Sequence, residues 1–546
     1  MITKSKFVAG VQCLKRLYLQ VHQPRLAAEI DDASKVVIEQ GRQVGLVAQK
    51  AFPGGVIVEA GPTELDRAIK TTRELVAKSE APAIFEATFQ HEGVLVRTDV
   101  LKPSGRSGYR LIEVKSSTDV KPHYAYDIGI QRCVLTGADV EIKHASVMHL
   151  NREYVFDGKE YDVSQLFVIA DLKPKDSVSQ SEISDCLKEQ FQILKRHKPP
   201  DIKPGKQCED PVRCEFYNHC NPGLPADHVS LLPGIRAKKV EELAAAGISS
   251  IKQIPDTFPL SERQRRAVDC VKSGKTFLSP ELADELDGLK YPICFMDFET
   301  VFPALPRFAK MRPYDHIPFQ WSVHRQEKPG GPLKHFEFLA ENDSDPRLAF
   351  VESLCKAATG AGNIVVYNKS FESSRLGELA RWLPACASDI KKIKAKIWDL
   401  LVVVRRHVYH PAFAGSFSLK FVLPAFVPDM AYETLEVAEG TAAGMAWARL
   451  VHPATPTVEK LRLRTALLEY CKQDTLALAK LFEVFRDPAT VAGQRWIDAA
   501  PAEPSRAVCS SIGSNVLSVS LFGSQSHSEA SEGGKIHTRT CNPVIP

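Results

Sequence analysis

The sequence predicts an α/β protein with more than one domain. Two regions alternate short apolar strand patterns with amphipathic helices, and both carry acidic residues on predicted strands. The first region covers residues 1–222 and the second covers residues 291–490, with a mainly helical connector, residues 223–290, between them. The length of 546 residues fits several domains of roughly 150 residues each.

Composition and charge exclude some classes of protein. The formal net charge of +4 is too small to indicate nucleic-acid binding unless a basic surface is local. No apolar run reaches the roughly 18 residues that a membrane span needs, and the first residues lack a signal-peptide pattern. The 13 cysteines are scattered outside one cluster, which fits a reducing compartment better than a disulfide framework. We therefore expect a cytoplasmic protein without a membrane segment.

The first region begins with predicted helices. Apolar periodicity indicates one helix that starts near Ser5 and includes Cys13. Residues 31–50 and 64–78 predict two further helices. A strand with Glu86 in its middle follows.

Two strands joined by a Gly/Ser turn predict a hairpin with a carboxylate centre. Asp99 lies near the end of the first strand, while Glu113 and Lys115 share one face of the second. Asp and Glu oxygens suit Mg²⁺, and a lysine can orient water or stabilise negative charge. Gln131 on the next predicted helix can reach the same place. A solvated hairpin face predicts the same pattern, so both interpretations stay open here.

A cysteine cluster follows in a segment interrupted by prolines. Cys208, Cys214 and Cys220 are evenly spaced, and Cys13 offers a fourth thiol from the N-terminal helix. Thiolates at such spacing bind iron–sulfur clusters or zinc, and His219 keeps a mixed-ligand zinc site open. The alternative is a set of buried free cysteines, which the neighbouring prolines disfavour.

Together these motifs resemble the RecB-like PD-(D/E)XK nucleases that carry an iron–sulfur cluster, over about residues 1–222. The resemblance implies a restriction-endonuclease-like fold in which Asp99, Glu113 and Lys115 are metal-binding and catalytic. It also implies a role for Gln131 and an earlier acidic position at Glu86.

The same resemblance implies a [4Fe–4S] cluster. Its ligands would be Cys13, Cys208, Cys214 and Cys220. The five residues between Cys208 and Cys214 exceed the usual spacing. Leu135 stands where the family usually has Tyr.

The connector contains a Pro-Gly turn between two predicted helices and resembles a helix-hairpin-helix unit. The resemblance implies that backbone N–H groups around Gly234 meet a phosphate, with charge added by Arg236, Lys238 and Lys239. A helical linker that only packs predicts the same pattern.

A second carboxylate centre starts on an apolar strand, YPICFMDFET. Asp297 and Glu299 share one face of this strand. Two adjacent carboxylates repel, and burying them is costly unless a cation or hydrogen bonds compensate. The strand therefore predicts a metal site.

Three further motifs follow in order. Glu372 lies at a strand–turn–helix junction, and Asp399 follows a short strand. A strongly amphipathic helix then places Tyr470 and Asp474 on one face.

The order of these acidic motifs along the chain resembles that of the DEDD exonucleases, which have a ribonuclease H-like fold. The match is to the subgroup with a tyrosine in the last motif. The resemblance implies two metal ions held by Asp297, Glu299, Glu372 and Asp474. It implies that Tyr470 positions the attacking water and that Asp399 supports the site. Glu372 departs from the family's usual Asp. A nucleotide-binding or structural α/β domain with incidental acids is the alternative.

The phrases PYDHIPFQWSVH, VYNKSFESSRL and GSFSLKFVLP resemble a bacterial family in which a RecB-like nuclease is fused to a DEDD-type domain. The resemblance implies a nuclease with two Mg²⁺- or Mn²⁺-dependent centres, a structural cluster, and DNA as the substrate rather than RNA. One alternative is a nucleic-acid-binding or scaffold protein in which one or both centres are inactive. A second alternative is a protein that holds zinc instead of iron. Residues 491–546 are rich in Ser, Gly and Pro, which predicts disorder.

Overall fold

The computed structural model describes residues 1–486 except 60, 62–63, 106–107, 174–176, 431 and 433–434. The described chain divides into two compact units. The first contains residues 1–155 and 159–222, and the second contains residues 156–158 and those from 223 onward. Each unit combines a sheet with helices, so the prediction of a multidomain α/β protein is confirmed. Among the described helices, none has the length and apolar character that crossing a membrane requires. The predicted tail, residues 491–546, lies outside the described residues.

In the described part of the first unit, seven strands form one mixed sheet. They are β1 (Ile2–Thr3), β2 (Val56–Ile57), β3 (Ile84–His91), β4 (Val94–Pro103), β5 (Tyr109–Lys115), β6 (Ile142–Leu150) and β7 (Phe167–Asp171). The order is β2-β3-β4-β5-β6-β7, with β1 parallel to the start of β4. Strands β3, β4 and β5 are antiparallel neighbours, whereas β5 and β6 are parallel. The predicted hairpin is β4–β5, and β4 continues beyond Asp99 to Pro103.

The helices of this unit pack mainly through α1, α5 and α7, which share one apolar core with the sheet. They are α1 (Lys4–Gln12), α2 (Leu14–His22), α3 (Asp32–Gln49), α4 (Leu65–Lys78), α5 (Tyr124–Gly137), α6 (Val163–Leu166), α7 (Gln180–Leu194) and α8 (Tyr217–Cys220), with 3₁₀ turns at Pro24–Leu26 and Lys206–Cys208.

The single N-terminal helix expected from the sequence is wrong. Helix α1 is capped by Thr3, whose hydroxyl accepts a hydrogen bond from the Lys6 N–H. Cys13 adopts an extended backbone (φ −163°, ψ 119°) and separates α1 from α2. Helices α1 and α2 both pack against α7. Phe7 of α1 belongs to the main apolar core, whereas Tyr18 and Leu19 of α2 belong to a separate cluster beside the cysteine segment. The break takes Cys13 out of the helical geometry.

The second unit is built on a five-stranded sheet in the order β11-β10-β9-β12-β13, with a separate pair, β14-β8. The strands are β8 (Phe277–Leu278), β9 (Ile293–Val301), β10 (Ile317–Gln326), β11 (Leu333–Leu339), β12 (Asn363–Val366), β13 (Ile397–Asp399) and β14 (Val408–Tyr409). Strands β9, β10 and β11 are antiparallel neighbours, while β12 and β13 continue the sheet parallel to β9. Strand β9 is thus central.

Ten helices are described in this unit. They are α9 (Ala237–Ala245), α10 (Glu262–Ser273), α11 (Leu282–Asp287), α12 (Arg347–Ala357), α13 (Lys369–Trp382), α14 (Ala387–Lys396), α15 (Leu400–His407), α16 (Leu419–Phe426), α17 (Gly440–Val451) and α18 (Thr457–Arg486), with 3₁₀ turns at Val229–Leu231, Ile251–Gln253, Pro384–Cys386 and Pro411–Phe413. The long helix α18 packs on β9 and β10, and α16 and α17 pack on α18.

The connector residues share the core of the second unit. Leu232, Leu243 and Ile251 are buried in the same apolar cluster as the residues of β9. The helix expected before the Pro-Gly turn is only the 3₁₀ turn Val229–Leu231, and α9 follows the turn. The first segment cannot extend into an α-helix because Pro233 and Gly234 follow it after a single residue, Leu232.

Candidate functional site

Strand β9 changes from apolar to acidic along its length. Residues 293–296 are buried in the core, whereas Asp297 and Glu299 lie on one face at the following positions. Glu299 is only 7% exposed. Phe298, between them, points the other way and packs against Phe350. The strand therefore holds two carboxylates side by side at the margin of an apolar core.

Helix α18 supplies the third carboxylate. Tyr470 and Asp474 are one helical turn apart, and both are buried. One oxygen each from Asp297, Glu299 and Asp474 lie within 4.8 Å of one another. The structure thus brings together three carboxylates that the sequence places about 175 residues apart, on a strand and a helix.

The electrostatics of this centre favour a bound cation or proton. Burial is the main cause that raises the pKa of Asp297 and of Glu299 well above the ordinary values, and neighbouring carboxylates add to it. Burial raises the pKa of Asp474 to about 6, opposed by a hydrogen bond from Tyr432 and by the charge of Lys420. A divalent cation would remove the cost of holding these groups ionised together.

Helix α13 places Glu372 at the edge of the same centre. Glu372 is 1% exposed, and its Oε2 atom has no hydrogen-bond partner among the described residues. Burial and the charge of Asp297 raise its pKa well above the ordinary value. Its oxygens are not among the three that lie within 4.8 Å of one another. Glu372 therefore offers an unsatisfied buried carboxylate beside the group of three, which is costly without a partner.

Asp399 holds the start of helix α13. Its carboxylate accepts hydrogen bonds from the backbone N–H groups of Asn368 (3.2 Å), Lys369 (2.9 Å) and Leu401 (3.0 Å). Asn368 is in the left-handed region at φ 107°, which is unusual for a residue with a side chain. These bonds fix the turn that precedes Glu372.

Two residues near this centre do not follow from the sequence motifs. The Tyr432 hydroxyl donates a hydrogen bond of 2.5 Å to Oδ1 of Asp474. The Lys420 Nζ atom lies 6.0 Å from the centre of the Tyr432 ring. Tyr432 lies in a segment without periodicity, and only the GSFSLKFVLP phrase draws attention to Lys420.

In the first unit, Glu113 is the meeting point of the predicted residues. Its carboxylate, 2% exposed, accepts hydrogen bonds from Lys115 Nζ (2.9 Å) and Gln131 Nε2 (2.8 Å). Lys4 Nζ contacts both of its oxygens, at 2.8 and 2.9 Å. Lys4 has no sequence signal, because the ion pair joins residues 109 positions apart.

Asp99 and Glu113 have opposite protonation tendencies. Asp99 accepts a hydrogen bond from the Val114 N–H at 2.7 Å, yet burial and the charge of Glu113 raise its pKa to about 7. Burial also opposes ionisation of Glu113, but the charges of Lys4 and Lys115 outweigh it and lower the pKa to about 2. The pair therefore keeps one firmly ionised carboxylate and one that titrates near neutrality.

Lys115 is held as a fixed cation. It also contacts Oδ2 of Asp127 at 2.8 Å and lies 4.9 Å from the centre of the Tyr124 ring. Burial lowers its pKa, but Glu113 and Asp127 together raise it above the ordinary value. Lys115 thus suits stabilisation of negative charge and is unsuited to accepting a proton.

Glu86 faces the same centre from strand β3. Its backbone is in the left-handed region at φ 56°, where residues with side chains are strained. Burial raises its pKa, and its charged neighbours are Arg97, Lys4 and Glu113.

The four cysteines of the first unit line one recess. They are Cys13, Cys208, Cys214 and Cys220. All are free thiols, and Lys15 and Arg16 line the same recess. Burial raises the pKa of the Cys214 thiol to about 11 and raises the pKa of Cys13 and of Cys220 above the ordinary value, so these three sulfurs need a metal to be held as thiolates.

In the described part of the chain, the cysteine sulfurs do not form a compact group of three. Among the described residues, the only His, Cys, Asp or Glu ligand atoms that lie in a group of three within 4.8 Å are those of Asp297, Glu299 and Asp474. No three of the cysteine sulfurs therefore approach one another that closely.

Side-chain hydrogen bonds close the recess. Gln12 Nε2 donates to the carbonyl oxygens of Gln207 and Val212, both at 2.7 Å. Arg16 Nε donates to Glu215 Oε2 at 2.9 Å. These bonds tie the end of α1 and the start of α2 to the cysteine segment, and they surround the helix break at Cys13.

The Pro-Gly turn of the connector faces open space. Gly234 has φ 62°, and nothing lies within 4 Å of a Cβ placed there. Arg236 and Lys238 are exposed beside it. The Lys239 ammonium instead donates to the carbonyl oxygen of Pro259. Two of the three predicted basic side chains therefore remain available at the turn.

Comparisons with known proteins give limited matches. Residues 294–418 match the family model described as "Domain of unknown function (DUF2779)". No curated protein matches. A solved structure described as "Crystal structure of SSO0001" is 12% identical, with 36% of this chain and 77% of that chain covered and a TM-score of 0.18. The family match includes Asp297, Glu299 and Glu372 and ends before α16 and α18.

Proposed function

We propose that this chain is a metal-dependent nuclease that hydrolyses phosphodiester bonds of nucleic acid. The proposal rests on the buried group formed by Asp297, Glu299 and Asp474, with ligand oxygens within 4.8 Å of one another. Carboxylates crowded in this way repel unless protons or cations neutralise them. Hard cations such as Mg²⁺ and Mn²⁺ prefer these oxygen ligands.

The residues of this centre fit a divalent cation. Asp297, Glu299 and Asp474 would hold it, and the unsatisfied Oε2 of Glu372 offers a further ligand. When bound, the cation activates a water molecule and offsets charge on the phosphate. Burial and nearby carboxylates raise the pKa of Tyr470 well above the ordinary value. Its hydroxyl therefore stays protonated and would donate a hydrogen bond that orients the attacking water.

We infer a ribonuclease H-like exonuclease domain of DEDD type for the second unit. The acids Asp297 and Glu299 lie on the central strand of a mixed sheet, and the helix with Tyr470 and Asp474 packs on that strand. Both features support the inference. The side chain of Glu372 is one methylene longer than the usual Asp, and its oxygens lie outside the closest group.

For the first unit we infer a RecB-like centre of PD-(D/E)XK type. Asp99, Glu113, Lys115 and Gln131 would form it. In the present arrangement Lys4, Lys115 and Gln131 already satisfy both oxygens of Glu113. A cation would have to displace Lys4. This observation favours, for the first unit alone, the second candidate function: a nucleic-acid-binding domain with an inactive centre.

The cysteine recess fits an iron–sulfur cluster better than a single zinc ion. A tetrahedral zinc site with Zn–S bonds of about 2.3 Å needs sulfurs about 3.8 Å apart. Among the described residues, no three of the four sulfurs lie within 4.8 Å of one another, so they do not form the compact set that one zinc ion needs. Cys13, Cys208, Cys214 and Cys220 would hold the cluster, which would link the N-terminal helices to the cysteine segment.

We propose DNA as the substrate in preference to RNA, and attack at strand ends, from the resemblance to RecB-like and DEDD-type nucleases. Arg236 and Lys238, exposed beside the open turn at Gly234, would contact backbone phosphates.

The test is cleavage of end-labelled single-stranded DNA and RNA with Mg²⁺ or Mn²⁺. Asp297→Asn and Glu113→Gln separate the two centres, and Asp269→Asn, an exposed acid of the second unit, is the matched control. We expect Asp297→Asn to lower the rate on the order of 100-fold or more because it removes a cation ligand. Glu113→Gln should have the smaller effect. Absence of metal-dependent cleavage by the wild-type protein would contradict the proposal and favour a binding or scaffold role.

A further inference from the structure

Lys420 stands at the acidic centre of the second unit and forms no ion pair with any described residue. It lies in the first turn of α16, which packs on α18, and its side chain is half-buried. Among the described residues, neither a carboxylate nor a carbonyl oxygen accepts a hydrogen bond from its ammonium group. Its described neighbour is the Tyr432 ring, 6.0 Å from the Nζ atom.

Tyr432 connects this lysine to the candidate metal ligands. The Tyr432 hydroxyl donates to Asp474 at 2.5 Å, and Asp474 belongs to the group of three carboxylates within 4.8 Å of one another. The ammonium group thus lies one aromatic ring away from the acids. Lys4 and Lys115 in the first unit differ, since both contact Glu113 directly, at 2.8 and 2.9 Å.

This placement leaves a positive charge available to a negatively charged ligand. The acids of the centre would be balanced by cations, and each phosphodiester that enters adds one negative charge. A lysine that is already paired with a carboxylate would have to break that pair first. Lys420 has no such pair in the part of the chain that the structure describes, and a lysine ammonium is a compact charge that suits a phosphate oxygen.

We propose that Lys420 binds a phosphate of the nucleic-acid substrate at the second centre and that Tyr432 positions it by holding its stem beside Asp474. The proposal rests on the nuclease function proposed above and adds a substrate contact to that site. Lys420 takes no part in proton transfer. During hydrolysis the attacking water gives up one proton to solvent and its oxygen forms a bond to phosphorus, while the bond from phosphorus to the leaving sugar oxygen breaks. That sugar oxygen takes up a proton from solvent, and the charge of Lys420 stabilises the phosphate throughout.

The competing explanation is purely structural. A lysine ammonium is attracted to the face of a tyrosine ring, and this contact alone would keep Tyr432 in place. The two explanations differ in substrate binding. A phosphate contact affects binding and its salt dependence, whereas a packing contact affects only folding.

The experiment compares Lys420→Met, Lys420→Arg and the matched control Lys472→Met, which removes an exposed lysine from α18. Binding of a fluorescent single-stranded oligonucleotide is measured by anisotropy without divalent cation, in an Asp297→Asn background, across a salt series. Cleavage is measured in the otherwise wild-type chain, and Mn²⁺ affinity is measured by calorimetry.

We expect Lys420→Met to weaken oligonucleotide binding several-fold and to reduce the slope of log Kd against log salt by about 0.7, which corresponds to one lost phosphate contact on a single strand. kcat/KM should fall at least about 10-fold, with Lys420→Arg recovering most of it because Arg keeps the charge. Mn²⁺ affinity and the unfolding midpoint should remain close to those of Lys472→Met.

The proposal is overturned if Lys420→Met binds and cleaves like Lys472→Met, or if its defect appears only as lost folding or lost Mn²⁺ affinity. Failure of the underlying nuclease function looks different, since the wild-type chain would then cleave neither DNA nor RNA. In that case the anisotropy series still decides whether Lys420 contacts phosphate.

Discussion

Lysine side chains act differently in the two acidic centres. In the first unit, Lys4 and Lys115 bracket Glu113 and lower its pKa to about 2. In the second unit, Asp297 and Glu299 have no paired lysine among the described residues, and burial raises their pKa values. The first centre is thus neutralised by the protein itself, whereas the second needs cations or protons. This difference at the scale of single side chains leads to two predictions.

The first prediction concerns the buried pair between Lys4 and Glu113. Lys4→Met should lower the free energy of unfolding by about 3 kcal/mol in metal-free buffer, because a buried carboxylate loses a charged partner. Denaturant titration measures the change. Lys35→Met removes an exposed lysine paired with Asp32 and should leave the free energy of unfolding almost unchanged. Equal midpoints for the two variants would show that the buried pair contributes nothing.

The second prediction concerns pH and divalent cations. The folded-state pKa values of Asp99 and Asp474 are raised to about 7 and about 6. A raised pKa contributes stability that is present below the unfolded-state value near 4 and is lost as pH rises to 6–7. Glu113 acts in the opposite sense because its pKa is lowered. Its contribution to folding stability is present above about pH 4.5 and is lost as pH falls towards 2.

The metal-free protein should therefore lose stability between pH 4 and pH 7. Mg²⁺ or Mn²⁺ binds the ionised carboxylates, so it should raise Tm more at pH 8 than at pH 5. At a free concentration 100 times Kd, the stabilisation is about 2.7 kcal/mol. Differential scanning calorimetry with and without cation checks this, and Asp297→Asn should reduce the shift. A metal-induced shift that is as large at pH 5 as at pH 8 would contradict it.

At the scale of elements, the acidic centre of the second unit depends on close contacts between turns and helices. Gly415, just before α16, has φ 79°, and a Cβ placed there would overlap the carbonyl oxygen of Leu231. This contact joins the loop that leads to Lys420 to the connector. The connector residues are thus part of the support for α16.

The third prediction tests that contact. Gly415→Ala should lower the free energy of unfolding by about 3 kcal/mol or more, because it adds a backbone clash to the cost of a left-handed alanine. Gly234→Ala is a matched control, with φ 62° and open space around it, and should cost only about 1 kcal/mol. Urea titration of both variants measures the difference. If both variants lose a similar free energy of unfolding, the loop that contains residue 415 must relax away from Leu231.

At the scale of the whole molecule, the first unit joins segments that are distant in the chain. Cys13 meets the segment of Cys208, Cys214 and Cys220 in one recess, and Gln12 and Arg16 bond to the same segment. A cluster bound by all four thiols would close a loop of nearly the whole unit. Such a link constrains the unfolded chain and couples cluster binding to folding.

The fourth prediction is that Cys214→Ser loses the bound cluster and lowers Tm of the first unit. Iron and sulfide content and the visible absorbance spectrum of anaerobically purified protein measure the cluster. Cys355→Ser, outside the recess, is the control and should keep both. A colourless wild-type protein that contains zinc would contradict the cluster assignment and leave the nuclease proposal standing.

Much of this organisation can be predicted from local pattern. The period of two along a strand places Asp297 and Glu299 on one face, and the helical period places Tyr470 one turn from Asp474. The β4–β5 hairpin follows from two apolar runs around a Gly/Ser turn. These features depend on neighbours within a few residues, so they follow from the local sequence.

The contacts between distant side chains follow from how whole elements pack. Lys4 reaches Glu113 across 109 positions, and Tyr432 reaches Asp474 across 42, without any local periodicity that marks the partner. The helix break at Cys13 is likewise not visible in the apolar periodicity. Gln12 and Arg16, on either side of the break, form hydrogen bonds to the distant cysteine segment. Local pattern fixes the face on which a residue lies. Packing of whole elements fixes what that face contacts, and therefore how each acidic centre is charged.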